Sequence, residues 1–248
     1  MENVDREDPS VEEFVNQQIK KWQKSYSADE KKKKARIPVI TLCMEPGSGG
    51  CIIAEQLARH FGFDFFHRDM VHKIAESARI STAVVESLEK ERLSGVQDFI
   101  ASVIKDQYIH PSIYLDHLMK VVGTIGKHGH AVIVGRGANF IIPPKDRFAV
   151  RVVAPLEQRI ENVSHRFKVP TDIAKRRVLI RENRRRAFVR QSFNADIVDP
   201  IHYDLILNMA NLSVEAAVAV VVGGVMGHMK ASKPPAKSGR TAKAKPGS

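Results

Sequence analysis

An α/β fold, with a parallel sheet covered by helices on both faces, is predicted by three observations. Short apolar runs alternate with stretches of helical periodicity from Val39 to about residue 229. The clearest runs, Val39–Met44, Ala131–Val134 and Phe148–Ala154, are almost continuously apolar rather than alternating. A glycine-rich turn, Gly47–Gly50, joins the first run to a helical pattern. A strand covered on both faces has no solvent side for polar residues, so it reads as an unbroken apolar run.

Taken in order, Ser10 is placed to cap an amphipathic helix, and Glu13 completes a capping-box pattern. Val11, Phe14, Val15, Ile19 and Trp22 follow at helical spacing, so this helix is expected to dock on the domain or on a partner. Lys31–Lys34 reads as a solvated linker, which makes residues 1–36 an N-terminal appendage. After the strand Val39–Met44 and the glycine turn, a helix presents Ile53, Ala54, Leu57 and Phe61 on one face. Helices are expected over Asp69–Ala78 and Thr82–Lys90, then loosely over Val96–Lys127. Pro155, at a first-turn position, opens the helix that carries Arg159 and Val163. Thr171 is expected to cap a long Arg-rich helix reaching about Ser192. Tyr203–Leu207 reads as the last strand, and Ser213 starts a closing apolar helix. Residues 230–248 hold no large apolar side chain and are expected to be disordered, leaving residues 37–229 as the domain.

The 248 residues are 43% apolar and 27% charged, which excludes wholesale disorder and collagen-like repeats. Only two cysteines occur, Cys43 and Cys51, so a disulfide scaffold is excluded. With no secretory hydrophobic region near the charged N-terminus, a cytoplasmic location is expected. The longest apolar stretch, Ala216–Met226, is too short to span a bilayer. The net charge of +11 is unevenly placed. Residues 230–248 carry six Lys/Arg and no acid, which suits weak contact with polyanions. Lys175–Arg190 carries eight Lys/Arg and a single acid, Glu182. Such a segment inside a folded domain asks for an anionic partner, and phosphate is the usual one.

The glycine turn suits that partner. Glycine lets the backbone approach a phosphate, and the helix that follows presents unpaired N–H groups at the positive end of its dipole. Gly47, Ser48, Gly49, Gly50 and Cys51 are therefore the candidate phosphate cradle, a ligand-free tight turn being the competing reading. The Walker pattern is not met: Met44 stands at its first glycine, Gly50 at its lysine and Cys51 at its Ser/Thr.

Four segments, EPGSGGCIIAEQLARHFGFDFFHRDMV, HAVIVGRGANFI, RVVAPLEQRIENV and DPIHYDLILNMANLSVEAA, resemble the cytidylate kinase-like family of P-loop nucleoside monophosphate kinases. The resemblance covers roughly Ile37 to Val222. It implies a P-loop NTPase three-layer sandwich with an Arg-bearing lid over about 168–192, ATP as phosphoryl donor and CMP or dCMP as acceptor. The family usually reads like S-R-E-x-G-S-G-G-R, where this chain has Met44 and Cys51 at the two arginines; an aromatic-Asp-Lys/Arg motif becomes Phe66-His67-Arg68. The lid pattern resembling D-K-x-R reads Glu182-Asn183-Arg184-Arg185, while Gly135-Arg136-Gly137-Ala138-Asn139 is intact.

On this likeness the glycine turn cradles the donor β-phosphate, Arg136 holds the acceptor monophosphate, and Arg68 and Asp69 stand on the acceptor side. Arg177, Arg181 and Arg185 are the candidate catalytic cations of the lid. With Arg184 they are spaced i, i+4, i+7 and i+8, on one helical face, where like charges repel by a few tenths of a kcal/mol per pair until an anion answers them. Mg²⁺ is needed to bridge the donor phosphates, yet no Ser/Thr ligand is evident; Glu45, Asp69 and Ser48, directly or through water, are the residues at hand. Competing readings are a catalytically degenerate nucleotide-binding or regulatory module, another small-molecule P-loop kinase, and nucleic-acid binding through the tail.

Overall fold

The computed structural model describes residues 9–29, 38–87, 95–98, 100, 101 and 112–231. The elements run α1 (Pro9–Asp29), β1 (Val39–Met44), α2 (Gly50–Phe61), β2 (Asp64–Phe66), α3 (Arg68–Glu76), α4 (Ala78–Glu86), α5 (Ile113–His128) and β3 (Ala131–Val134). They continue with α6 (Ala138–Ile141), β4 (Arg147–Val153), α7 (Leu156–Phe167), α8 (Thr171–Phe193), β5 (Leu205–Asn208) and α9 (Val214–Ala231). The expected linker Lys31–Lys34, the tail beyond Ala231, residues 88–90 and much of 96–112 lie outside the described residues.

The five strands form one parallel sheet in the order β2-β3-β1-β4-β5. Its two faces divide the side chains of each strand as the pleat requires. Ile40 and Leu42 of β1, with Val132, Val134, Phe148, Val150, Val152 and Leu207, pack under α2 and α9. Val39 and Cys43 face the other way, into a core with Phe66, Ile133, α3, α5 and Phe193 at the end of α8. A smaller core of Ile160, Val163, Ala174 and Val178 ties α7 to α8. β1 is central: the chain builds β2 and β3 on one side of it and then crosses to β4 and β5 on the other, and such a switch point is where an open parallel sheet forms its ligand crevice. No helix among the described residues is long and apolar enough to cross a membrane.

Several expectations need correcting. β2 is a strand that the sequence did not announce, since three residues at a sheet edge are too few to show a period. The Arg-rich helix is entered from Pro170, with Thr171 its first residue rather than its cap. The last strand begins at Leu205, because Asp204 turns its carboxylate onto the N–H of Ala149 at 2.7 Å and Tyr203 bonds the carbonyl of Ile197 at 2.7 Å. α1 begins at Pro9, so Ser10 lies inside the helix. It docks on its own domain: Val11, Val15 and Trp22 are buried, Trp22 stacks on His128 at 4.0 Å, and Lys21 pairs with Asp64 at 2.6 Å.

Candidate active site

The glycine turn leaves β1 at the sheet's crevice. The N–H of Glu45 bonds the carbonyl of Val152 at 2.9 Å, extending the β1–β4 ladder by one residue. The N–H and hydroxyl of Ser48 both return to the carbonyl of Glu45, at 3.2 and 2.9 Å, and close the turn. Gly49, at φ 83°, caps α2 with no side-chain bond, and a Cβ there would meet nothing within 4 Å. Its neighbours are glycines for packing reasons. A Cβ on Gly47 would collide with the carbonyl of Arg159, and one on Gly50 would stand 2.8 Å from Cβ of Met44. Met44 and Gly50, two departures from the P-loop patterns, are thus one change in packing: the larger residue at 44 leaves no room for a side chain at 50. Nothing among the described residues accepts from the N–H groups of Gly49, Gly50 or Cys51, leaving three main-chain donors at the start of α2.

Around this helix start the cations come from outside the turn. Arg185 of α8 donates to the carbonyl of Met44, at the end of β1. Burial lowers its guanidinium from the usual value, and Arg68 and Arg181 add to the effect. Burial also pushes the Cys51 thiol up, against the opposing fields of Arg166, Arg185 and Arg68. The charges of three arginines are thus felt at Cys51, in the first turn of α2, and one of them, Arg185, is fixed beside the end of β1 by its bond to Met44.

α7 and α8 are held in place by a chain of ions, largely buried until it ends on exposed Arg186. Arg151 lies 3.5 Å from Glu45, Arg159 lies 3.3 Å from Glu45 and 2.9 Å from Glu182, and Arg186 lies 2.9 Å from Glu182. Arg151 also donates to the carbonyl of Ile197 at 2.8 Å, and Asn162 of α7 donates to the carbonyl of Gly47 at 2.9 Å. Burial raises the carboxyl of Glu182, but hydrogen bonds and charge from Arg159 and Arg186 outweigh it and hold the group below its ordinary value. Glu45 also accepts from the N–H of Ala154 at 3.2 Å. Its carboxylate is thereby committed to the protein, which counts against it as a metal ligand.

The four-arginine face divides. Arg185 meets the glycine turn, Arg184 is exposed, and Arg177 and Arg181 turn to the ring of Phe167, 6.0 and 5.7 Å from its centroid. The reason is geometric: the face packed on α7 runs through Ala174, Val178 and Glu182, so residues one position before each point to the α7–α8 turn.

The second half of the site forms where β3 ends. Gly135, Arg136 and Gly137 are all left-handed, at φ 72, 52 and 69°. For an arginine that conformation costs about 1–2 kcal/mol, so the flanking structure holds Arg136 there. Its Nε donates to the carbonyl of Arg68 at 3.4 Å. Arg68 in turn bonds Asp69 through Nε and Nη2, at 3.0 and 2.9 Å. Burial raises Asp69, yet Arg68, His67 and Arg136 together hold its carboxyl below the ordinary value. His67 accepts the N–H of Met70 at 3.3 Å through Nδ1 and so caps α3, the role an aspartate commonly takes.

Arg166, His72, Glu76 and Tyr114 were missed by sequence reasoning. Arg166 was readable from α7 alone, where Arg159, Asn162 and Arg166 recur at i, i+3 and i+7. Among the described residues no group of three or more His, Cys, Asp or Glu is placed to hold a metal ion.

Residues 39–211 match the sequence profile of the cytidylate kinase-like family. The chain is 26% identical over 187 residues to a cytidylate kinase of Pyrococcus abyssi, covering 75% of this chain and 93% of that one. It is 25% identical over 195 residues to a cytidylate kinase of Methanocaldococcus jannaschii, covering 75% and 97%. Among solved structures, an uncharacterized protein from Eubacterium ventriosum shares the fold, with a TM-score of 0.58, 15% identity and coverage of 76% and 98%. A profile that spans more than half of the chain, from β1 through both halves of the site, places the chain in the cytidylate kinase-like family.

Proposed function

We propose that this protein transfers the terminal phosphoryl group of ATP to a nucleoside monophosphate, CMP or dCMP being the acceptors that its curated relatives suggest. The observation that carries the reading is the set of three N–H groups at the start of α2 with no partner among the described residues, beside the Met44 carbonyl that Arg185 holds; the charges of Arg68 and Arg166 are also felt at Cys51. Phosphoryl transfer needs alignment and neutralisation of charge rather than a covalent catalyst. The N–H groups of Gly49, Gly50 and Cys51, with Gly47 and Ser48 shaping the turn, cradle the donor phosphates, and Arg185 replaces the absent P-loop lysine. Arg181 and Arg177 serve the donor when the lid repositions over it. Arg136 and Arg68 hold the acceptor monophosphate.

Mg²⁺ would enter with the donor phosphates, where it neutralises their charge. Asp69 fits that ion through water, since its carboxylate is largely exposed and Mg²⁺ keeps several waters. The Ser48 hydroxyl is turned back onto Glu45.

A second reading, a nucleotide-binding or regulatory module without turnover, is favoured by one contact: Arg185 is engaged with the main chain at Met44. The two separate in an assay of ADP release from ATP–Mg²⁺ with CMP, dCMP, UMP or AMP, run beside the Arg136→Ala protein. Turnover with a cytidine nucleotide that is lost in that variant is expected. ATP binding without turnover for any acceptor would establish the second reading instead.

A further inference from the structure

Taking Arg136 and Arg68 as the acceptor side, as proposed above, one chain of polar groups between α3 and α5, within reach of the charge of Arg136, has a direction fixed by chemistry. Nε2 of His72 lies 3.1 Å from Oε1 of Glu76, and Nδ1 lies 3.0 Å from the hydroxyl oxygen of Tyr114. An ionised carboxylate only accepts, so Nε2 carries the ring proton. The Nδ1 of a neutral imidazole then only accepts, and it takes the one hydroxyl proton that Tyr114 has. The neutral ring is the favoured form here, because burial and the charge of Arg136 lower His72 from its ordinary value, outweighing Glu76 and Asp69.

Tyr114 therefore presents lone pairs, and no group among the described residues donates to them. The phosphate of a bound nucleotide, itself all acceptors, does not belong there; Arg136 and Arg68 are its partners. The group that meets Tyr114 has to be a donor.

We propose that the Tyr114 oxygen, oriented through His72 by Glu76, is a specificity determinant that accepts a hydrogen bond from an N–H or O–H of the acceptor nucleotide. Two sources share this chemistry: the exocyclic amine of the base, which cytosine has and uracil replaces by a carbonyl, and the ribose 2′-hydroxyl, which dCMP lacks. A carbonyl facing the Tyr114 oxygen leaves two acceptors opposed and unpaired.

The test is calorimetric titration of the wild-type, Tyr114→Phe and His72→Leu proteins with CMP, UMP and dCMP. Tyr114→Phe should weaken CMP about tenfold. If the amine is the donor, UMP is not weakened by that change and gains as the opposed acceptor is removed; if the ribose hydroxyl is the donor, dCMP is not weakened. His72→Leu frees the Tyr114 proton to be donated, so with the amine as donor UMP should gain on CMP, and with the hydroxyl as donor the CMP/dCMP preference should shrink. Equal weakening of all three ligands by Tyr114→Phe, or no weakening of any, overturns the inference while leaving the kinase reading intact. Failure of the wild-type protein to bind any of the three overturns the acceptor-side reading, and this inference with it.

Discussion

The ring of Phe193, the last residue of α8, occupies the place where a Cβ on Gly137 would stand. One end of the Arg-rich helix is thereby seated on the turn that carries Arg136, while its middle reaches Met44 through Arg185. The end of β1 and the Gly135–Gly137 turn are thus both in contact with one helix.

Gly137→Ala should destabilise the protein by about 2–5 kcal/mol, combining a left-handed alanine at about 1–2 kcal/mol with overpacking at about 1–3 kcal/mol. Urea denaturation measures it. The two sites touch, so the penalty in a Phe193→Leu background should fall by more than about 0.5 kcal/mol. Additive losses would show that the ring and the turn are not coupled.

Arg185→Gln should lower kcat about a hundredfold, because a charge placed beside the donor phosphates is removed. Arg190→Gln, on an exposed position near the end of the same helix, should stay within about threefold of the parent. Steady-state turnover of the two variants decides the matter, and equal rates would remove Arg185 from the site.

Glu182 offers a pH test. Its folded-state value is lowered from 4.5, so it contributes stability in full above that value, and the contribution is lost as pH falls through the lowered folded value. Glu182→Gln should cost about 1–3 kcal/mol at pH 7, since buried Arg159 loses one of its two carboxylates. The difference from the parent should shrink in acid below the ordinary glutamate range. Denaturant midpoints between pH 3 and pH 7 follow it; a constant difference would mean that the ion pair contributes nothing.

Trp22→Ala should cost about 3–5 kcal/mol, as expected for a buried aromatic. The ring stacks on His128 and lies 6.5 Å from Phe66. A loss below about 1 kcal/mol in thermal or urea unfolding would mean that α1 docks only loosely in solution.

What the sequence made legible were features carried by neighbouring residues. β1, β3 and β4 announced themselves as almost continuously apolar runs, and the glycine turn stood directly after one of them. β2 stayed hidden because Asp64–Phe66 is too short for periodicity and its flanks are aromatic in every direction. The shared face assigned to Arg177, Arg181, Arg184 and Arg185 assumed a helix with one outward side; packing on α7 instead turned two of them to Phe167. His72 and Tyr114 are 42 positions apart and meet only because α3 and α5 pack together. Such a pair leaves no local trace. The departures at Met44 and His67 read as losses of charge in one dimension; in three, Met44 packs against Gly50 and His67 caps a helix.

α1 carries a consequence for how this protein can be divided. The family profile starts at residue 39, yet Trp22, Val15 and Val11 sit in the same core as Phe66 and Ile133, and Lys21 reaches Asp64 on β2. The border drawn by ancestry and the border drawn by packing are different lines. A chain cut at the edge of that profile would leave an apolar wound on the β2 side, so α1 and the sheet stand or fall as one packing unit.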